Sequence, residues 1–168
     1  MHPSAKRNAE KFVNKYLCPV DNLTILEVGS RDVNGSLRDL FNNPSWSYTG
    51  LDKVEGHNVD IVNEDGCYFS IPSDRFNVVV STSCLEHDPI FWVTFSEMVR
   101  VLSPGGLVYL CVPSGGGYHA YPRDCWRFQL DAYRALEQWV PGVKLLESFI
   151  DPSDERWQDN IGIFRKES

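Results

Sequence analysis

The sequence predicts an α/β three-layer sandwich: a mostly parallel sheet of about seven strands, helices on both faces, and an antiparallel strand near the C-terminus. Three observations carry this. Short β-rich runs alternate with apolar positions at helical spacing along most of the chain. Phe76 to Ser81, centred on Val78-Val79-Val80, has the unbroken β-branched character of a strand covered on both faces. The last two strand-like runs follow each other with only a loop between them, as an antiparallel pair does. At 168 residues, 42% hydrophobic and 23% charged, the chain is expected to form one domain, 1–168, large enough to bury about 70% of its unfolded surface without staples.

Ala5, Ala9, Phe12, Val13 and Tyr16 share a helical face, so an N-terminal helix occupies Pro3 to Leu17 and Cys18-Pro19 ends it, within segment 1–18. The core, 23–165, opens with a strand at Leu23 to Val28, a glycine turn and a helix at about Ser36 to Phe41, the first unit of a Rossmann-like fold. Strands follow at Trp46 to Leu51 and His57 to Val62. Five residues between them are too few for the usual helical crossover, so either that helix is reduced to a loop or one run is not a strand. Asp88-Pro89 supplies an N-cap carboxylate and a proline at the first helical position, and Phe91, Phe95, Met98 and Leu102 give that helix its core stripe. Ser103-Pro104 stops it, and Pro104-Gly105-Gly106 turns the chain into the strand Leu107 to Val112. A helix at Leu130 to Val140 is broken by Pro141-Gly142, and strands at Val143 to Phe149 and Asn160 to Phe164 flank the acidic loop Asp151 to Asp159.

Composition excludes several functions. The longest apolar run, Leu107 to Val112, is six residues where a membrane span needs about 20, and charges interrupt Met1 to Leu17, so neither a span nor a secretory signal is expected and the location is read as cytoplasmic. A net charge of −7 disfavours nucleic acid, whose binding depends on clustered Lys and Arg. Cys18, Cys67, Cys84, Cys111 and Cys125 form no Cys-x-x-Cys pair and are read as reduced and structural, Cys111 as a small buried hydrophobe; no metal is expected.

In such sheets ligands sit at the carboxyl ends of the strands. A dinucleotide fingerprint starting at Gly29 would need glycine where Arg31 and Asn34 stand, and Asp32 sets a carboxylate where a pyrophosphate would lie. A ligand with an amino-acid end and a sulfonium cation tolerates that carboxylate and still needs Gly29 for close backbone approach. Asp52, 25 residues after Glu27, can accept from both hydroxyls of a ribose, and Asp65 from an adenine amino group. Taken singly, each is as well read as a solvated loop acid; their occurrence at successive strand ends favours the ligand.

The ordered motifs Ile25-Leu26-Glu27-Val28-Gly29-Ser30, Gly50-Leu51-Asp52, Asn63-Glu64-Asp65-Gly66, Phe76-Asn77-Val78-Val79-Val80-Ser81, Cys84-Leu85-Glu86-His87 and Arg100-Val101-Leu102-Ser103-Pro104-Gly105-Gly106 resemble those of the class I S-adenosylmethionine-dependent methyltransferases, of the methyltransferase domain 11 type. The resemblance runs over about 23–165. It implies that Glu27, Gly29 and Ser30 frame the methionine end of S-adenosylmethionine, with Ser81 nearby, that Asp52 holds the ribose, and that Asp65 and Gly66 hold adenine. It also puts Glu86 and His87 near the methionine amino end and the substrate. The first loop departs from the family pattern, with Arg31 and Val33 where further glycines are frequent.

Two roles fit His87: packing or capping at the next helix, and catalysis as a base. In Gly115 to Phe128, three glycines precede aromatic and charged residues, as in a lid that closes over substrate. Tyr118, His119, Tyr121 and Arg123 are expected to face the substrate, with His119 a second catalytic candidate, while Trp126 and Phe128 suit the core. The competing structural reading pairs Arg123 with Asp124. The function expected is methyl transfer to a small-molecule or glycan-like acceptor. A non-catalytic S-adenosylmethionine-binding module is the main alternative, and an NAD-linked oxidoreductase a remote one.

Overall fold

A computed structural model describes residues 2–19, 21–66, 68–153 and 155–168; Cys67 lies outside them. The strands are β1 (Thr24–Val28), β2 (Ser47–Asp52), β3 (Ile61–Val62), β4 (Phe76–Thr82), β5 (Leu102–Pro113), β6 (Val143–Ile150) and β7 (Asp159–Lys166). They form one sheet in the order β3-β2-β1-β4-β5-β7-β6. Neighbours among β1 to β5 pair parallel, and β7 runs antiparallel to both β5 and β6. The expected three-layer sandwich with one antiparallel strand near the C-terminus is the fold that forms.

Among the described residues the α-helices are α1 (Pro3–Tyr16), α2 (Phe91–Val101) and α3 (Ala132–Trp139), and none is long and apolar enough to cross a membrane. Successive strand residues point to opposite faces, which divides the core in two. On one side α1 packs Ala5, Ala9 and Phe12 with Ile25, Val78, Val80, Tyr109, Ile161 and Ile163. On the other, α2 and α3 pack Phe95, Met98, Tyr133 and Leu136 with Leu26, Val79, Val108, Leu110 and Phe164. Full burial of a side chain such as Phe12 or Phe95 contributes about 1.5–3 kcal/mol. Buried acids at the start of β7 and just after β6 anchor the beginning of α1: Asp159 accepts from His2 Nε2 at 2.8 and 2.7 Å and from the Ser4 hydroxyl at 2.9 Å, and Asp151 accepts from Asn8 Nδ2 at 2.7 Å.

Four elements differ from expectation, each for a local reason. The helix expected at Ser36 to Phe41 is only a 3-10 turn, Arg38–Phe41. The crossover to β3 is a loop and β3 itself is two residues, because His57 to Asp60 is not extended: Asn58 has φ 72°, and the Arg38 guanidinium is bonded to Asn58 and Asp60. α2 starts at Phe91 rather than at Asp88-Pro89. Asp88 instead accepts from the Ile90 N–H at 3.1 Å and from the Thr94 hydroxyl, so its carboxylate stabilises the turn before the helix. Pro104-Gly105-Gly106 does turn the chain, Gly105 at φ +78°, but as a bulge inside β5: Leu102 pairs with Phe76 and Leu107 with Val78.

Candidate active site

A cavity of about 830 Å³ lies at the carboxyl ends of the central strands, lined by residues 27–31, 51–54, 82–84 and 86–89, with residues 119–123 and Trp157 opposite. Most of the expected site residues meet there, and several are held in place by groups that the sequence does not single out.

Gly29 turns at φ +79°, and a Cβ on it would stand 2.5 Å from Cys84 Sγ. Both the left-handed backbone and this contact require glycine, before any ligand is considered. The N–H groups of Gly29 and Ser30 donate to Leu51 O at 2.9 and 3.1 Å, tying the first loop to the end of β2. Glu27 is buried, and its Oε2 accepts from Tyr48 Oη at 2.5 Å and from Asn58 Nδ2 at 2.9 Å. Burial still pushes its carboxyl up to about 7 against the effect of those bonds and of the Arg38 cation. Asp52 stands at the end of β2 and accepts from the N–H groups of Arg31 at 3.0 Å and Val54 at 3.2 Å. Gly66, at φ +67°, gives its missing side chain's space to Lys53, whose Cε would lie 2.3 Å from a Cβ there.

Three expected residues lie outside the lining. Asp65 is exposed in the turn after β3, and its near neighbour Asn63 is the buried one that lines the cavity. Ser81 is fully buried with its hydroxyl donating to Val28 O at 2.8 Å, a bond between β4 and β1 rather than to a ligand. Tyr118 is 82% exposed.

The far end holds Glu86, His87 and His119. Glu86 is 1% exposed in the 3-10 turn Leu85–His87, and burial pushes its carboxyl up to about 8. Its Oε1 lies 3.6 Å from His87 Nε2. His87 Nδ1 meets Arg123 O at 2.5 Å, and burial lowers its pKa. The His119 ring packs edge-on against His87, centroids 5.0 Å apart, and against Trp157 at 4.5 Å. Asp124 pairs not with Arg123 but with Arg127, at 2.6 and 2.8 Å, and this guanidinium holds its carboxyl well below the usual carboxylate range. Arg127 also donates to Gly117 O at 2.9 Å. The glycines before this segment are partly pinned: a Cβ on Gly116 would strike the Trp157 ring at 2.3 Å, and Gly115 N–H donates to Trp157 O at 2.9 Å, while Gly117 faces open space. Phe128 is buried as expected; Trp126 stays 38% exposed, its ring against Phe91 and its Nε1–H donating to Asp88 O at 2.9 Å.

Five of the residues lining the cavity carry buried polar atoms with no hydrogen-bond partner among the described residues: Ser30 Oγ, Asn63 Nδ2, Thr82 Oγ1, Ser83 Oγ and Glu86 Oε2. A neighbouring cleft of about 800 Å³ between α1 and residues 32–40 is lined by none of these. An orphaned buried donor or acceptor costs about 1–3 kcal/mol, so five around one cavity make it the candidate site for a polar ligand or ordered water.

Residues 35–110 match the family described as "Methyltransferase domain". Over that stretch the sequence resembles this family, and the chain shares the fold of solved S-adenosylmethionine-dependent methyltransferases. Solved methyltransferases superpose on nearly the whole chain. The 1,6-didemethyltoxoflavin-N1-methyltransferase of Burkholderia thailandensis, solved with 1,6-didemethyltoxoflavin and S-adenosylhomocysteine bound, is 16% identical with a TM-score of 0.72, over 98% of this chain and 79% of that one. An S-adenosylmethionine-dependent methyltransferase of Mesorhizobium loti is 16% identical with a TM-score of 0.70, over 98% of this chain and 99% of that one. The [4+2]-cyclase SpnF is 14% identical with a TM-score of 0.74, over 96% of this chain and 80% of that one. No curated protein matches the sequence.

Sequence reasoning missed Asn63 and Cys84 in the lining and Tyr48, Asn58 and Arg127 behind it. A usable signal existed for Asn63 and Cys84, which open the motifs that contain Gly66 and Glu86.

Proposed function

We propose that this chain binds S-adenosylmethionine in the cavity and transfers its methyl group to an oxygen, nitrogen or carbon nucleophile of a small-molecule or glycan-like acceptor held under residues 119–123. The observation that carries the reading is the set of five partnerless polar atoms, spread along the strand ends from Asn63 to Glu86. In this reading Asn63 and Gly66 receive adenine, the role first given to Asp65. Asp52 receives the ribose, and Glu27, with Gly29 and Ser30, the methionine end. Glu27 Oε2 is taken by Tyr48 and Asn58, which leaves Oε1 for the ligand's ammonium. A volume of about 830 Å³ suits a cofactor with a small acceptor, and a net charge of −7 argues against nucleic acid. A pyrophosphate reading loses its main support, because the chain after Gly29 leads to a 3-10 turn and offers no α-helix N-terminus. The four described cysteines are free, in keeping with a cytoplasmic site of action.

Catalysis follows from placement. The sulfonium is a good leaving group, so holding the nucleophile about 3 Å from the methyl carbon, in line with the breaking C–S bond, supplies most of the acceleration. As that bond breaks and the new bond to carbon forms, an oxygen or nitrogen acceptor loses a proton. His87 and His119 carry the nitrogen lone pairs that act on it, and Glu86, Tyr121 and Arg123 surround the acceptor. Calorimetric titration with S-adenosylhomocysteine tests the cofactor half: binding to the parent that weakens in Asn63→Ala is the expected result, and absence of binding overturns it. Mass-spectrometric detection of a methylated phenol, sugar or amine tests the transfer.

A further inference from the structure

We propose that Glu86, His87 and His119 form a binding site for one divalent transition-metal ion of the zinc type at the acceptor end of the cavity. One ligand atom from each residue lies within 4.8 Å of the other two. Two further observations point to a ligand here. Glu86 is 1% exposed, and its Oε2 has no hydrogen-bond partner among the described residues. An arrangement this costly is explained if the carboxylate is a ligand. Secondly, both imidazoles are engaged on the Nδ1 side. Arg123 O can only accept, so His87 Nδ1 carries the hydrogen and Nε2 is left with a lone pair, 3.6 Å from Glu86 Oε1. His119 Nδ1 lies 3.4 Å from Asp124 Oδ2 and 3.4 Å from the Arg127 guanidinium, which can only donate, so in the metal-free chain its Nε2 carries the hydrogen and binding the ion takes the other tautomer, with Nδ1–H turned to Asp124. His87, whose remote nitrogen faces a carbonyl while the near one keeps its lone pair, has the usual dress of a metal-bound histidine.

The spacing fits after a small closure. Ligands about 2.0–2.2 Å from a tetrahedral ion stand roughly 3.4 Å apart, close to the 3.6 Å between Glu86 and His87. The widest separation, up to 4.8 Å, has to close by about 1.4 Å, and His119 follows Gly117, whose surroundings are open. Two imidazoles and one carboxylate favour zinc, cobalt or nickel over magnesium or calcium, and three protein ligands leave a fourth position open. Resting on the proposed methyl transfer, the ion gives the site a substrate class: acceptors with a hydroxyl able to coordinate it. With both imidazole lone pairs held by the ion, the histidines act as ligands in place of bases, and the bound hydroxyl, acidified by the ion, releases its proton to solvent. The metal-held oxygen then attacks the methyl carbon, the C–O bond forms as the C–S bond breaks, and S-adenosylhomocysteine and the methyl ether leave.

Cobalt(II) is the probe, added to metal-stripped full-length protein and followed by its visible absorption, with zinc(II) in competition against a chromophoric chelator. One equivalent is expected to bind, and His87→Ala and His119→Ala each to weaken it at least tenfold. His119 is partly exposed and its loss threatens the fold least; S-adenosylhomocysteine titration of the same variants reports an intact cavity. Absence of saturable binding in the parent, unchanged binding in the two variants, or a sulfur-to-cobalt charge-transfer band placing Cys84 or Cys125 among the ligands overturns the site. The readout needs neither acceptor nor turnover: cobalt binding without S-adenosylhomocysteine binding would refute the methyltransferase reading and keep the metal, and the converse would do the opposite.

Discussion

Glu27 holds its proton up to about pH 7 in the folded chain and only to the ordinary 4.5 when unfolded, because burial outweighs the bonds from Tyr48 and Asn58. The folded state therefore binds the proton more tightly, and its stability falls as pH rises from about 4.5 through about 7. Between about pH 5 and about pH 8 the parent is expected to lose about 2–3 kcal/mol more than Glu27→Gln does, measured by urea unfolding; equal losses would assign the dependence to other groups. A bound ammonium favours the ionised carboxylate, so S-adenosylhomocysteine affinity should rise over the same range in the parent and stay flat in the variant. Asp52→Ala should weaken that ligand roughly tenfold to a hundredfold by calorimetry, through lost charge-assisted bonds, and unchanged affinity would remove Asp52 from the site. Glu27, Gly29 and Asp52 were legible in the sequence because strand ends can be read from β-rich runs. Their supports were not: Tyr48 reaches Glu27 through the β1–β2 pairing, and Asn58 through a loop whose positive φ no spacing announces. Asp65 and Asn63 share one polar turn, and only the folded turn shows which faces the cavity.

At the scale of elements, α1, α2, β4 and the antiparallel end of the sheet were legible from period and punctuation, since each buries a regular stripe. The segment between β1 and β3 was not, because its structure rests on side chains reaching across it, Arg38 to Asn58 and Asp60 and Asp60 Oδ2 to Gly50 N–H at 2.7 Å. The first loop gives the sharpest prediction at this scale. Gly29→Ala combines a left-handed backbone with a clash against Cys84, so it should cost about 1–3 kcal/mol in thermal or urea unfolding and weaken S-adenosylhomocysteine as the loop shifts. Adding Cys84→Gly removes both the Sγ and the Cβ that a side chain at position 29 would strike, at 2.5 and 2.6 Å, and leaves the backbone strain, so the double variant should recover only part of the stability. Full recovery would show that Cys84, and not φ, requires the glycine. The anchor of α1 offers a second test: Asp159→Ala leaves Ser4 and His2 without their buried acceptor and should destabilise the fold by about 2–4 kcal/mol.

On the proposed reading the whole molecule divides into a sheet whose strand ends receive the cofactor and one segment, residues 117–127, that covers the acceptor. Arg127 orders that segment internally through Asp124, Gly117 O and Trp126 O. Its anchors to the rest of the chain are the N–H groups of Cys125 and Trp126 on Glu86 O at 2.8 and 3.1 Å, Trp126 Nε1–H on Asp88 O at 2.9 Å, and His87 Nδ1 on Arg123 O. The glycines ahead of it, read from sequence as a free hinge, are pinned at Gly115 and Gly116 by Trp157, so closure is confined to the stretch after Gly117. Amide hydrogen exchange should therefore be fast at residues 118–123 in the free protein, slowed slightly by S-adenosylhomocysteine and strongly only when an acceptor is also present, while Gly115, whose N–H donates to Trp157 O, remains protected throughout. Arg127→Ala should speed exchange across 117–124, raise the acceptor KM several-fold and leave S-adenosylhomocysteine affinity within about twofold, because the guanidinium orders the cover and is not among the residues lining the cavity. If exchange at 118–123 ignores the acceptor, or if Arg127→Ala weakens cofactor and acceptor alike, the segment is a fixed wall of the cavity, and recognition of the acceptor rests on Glu86 and His87 beneath it.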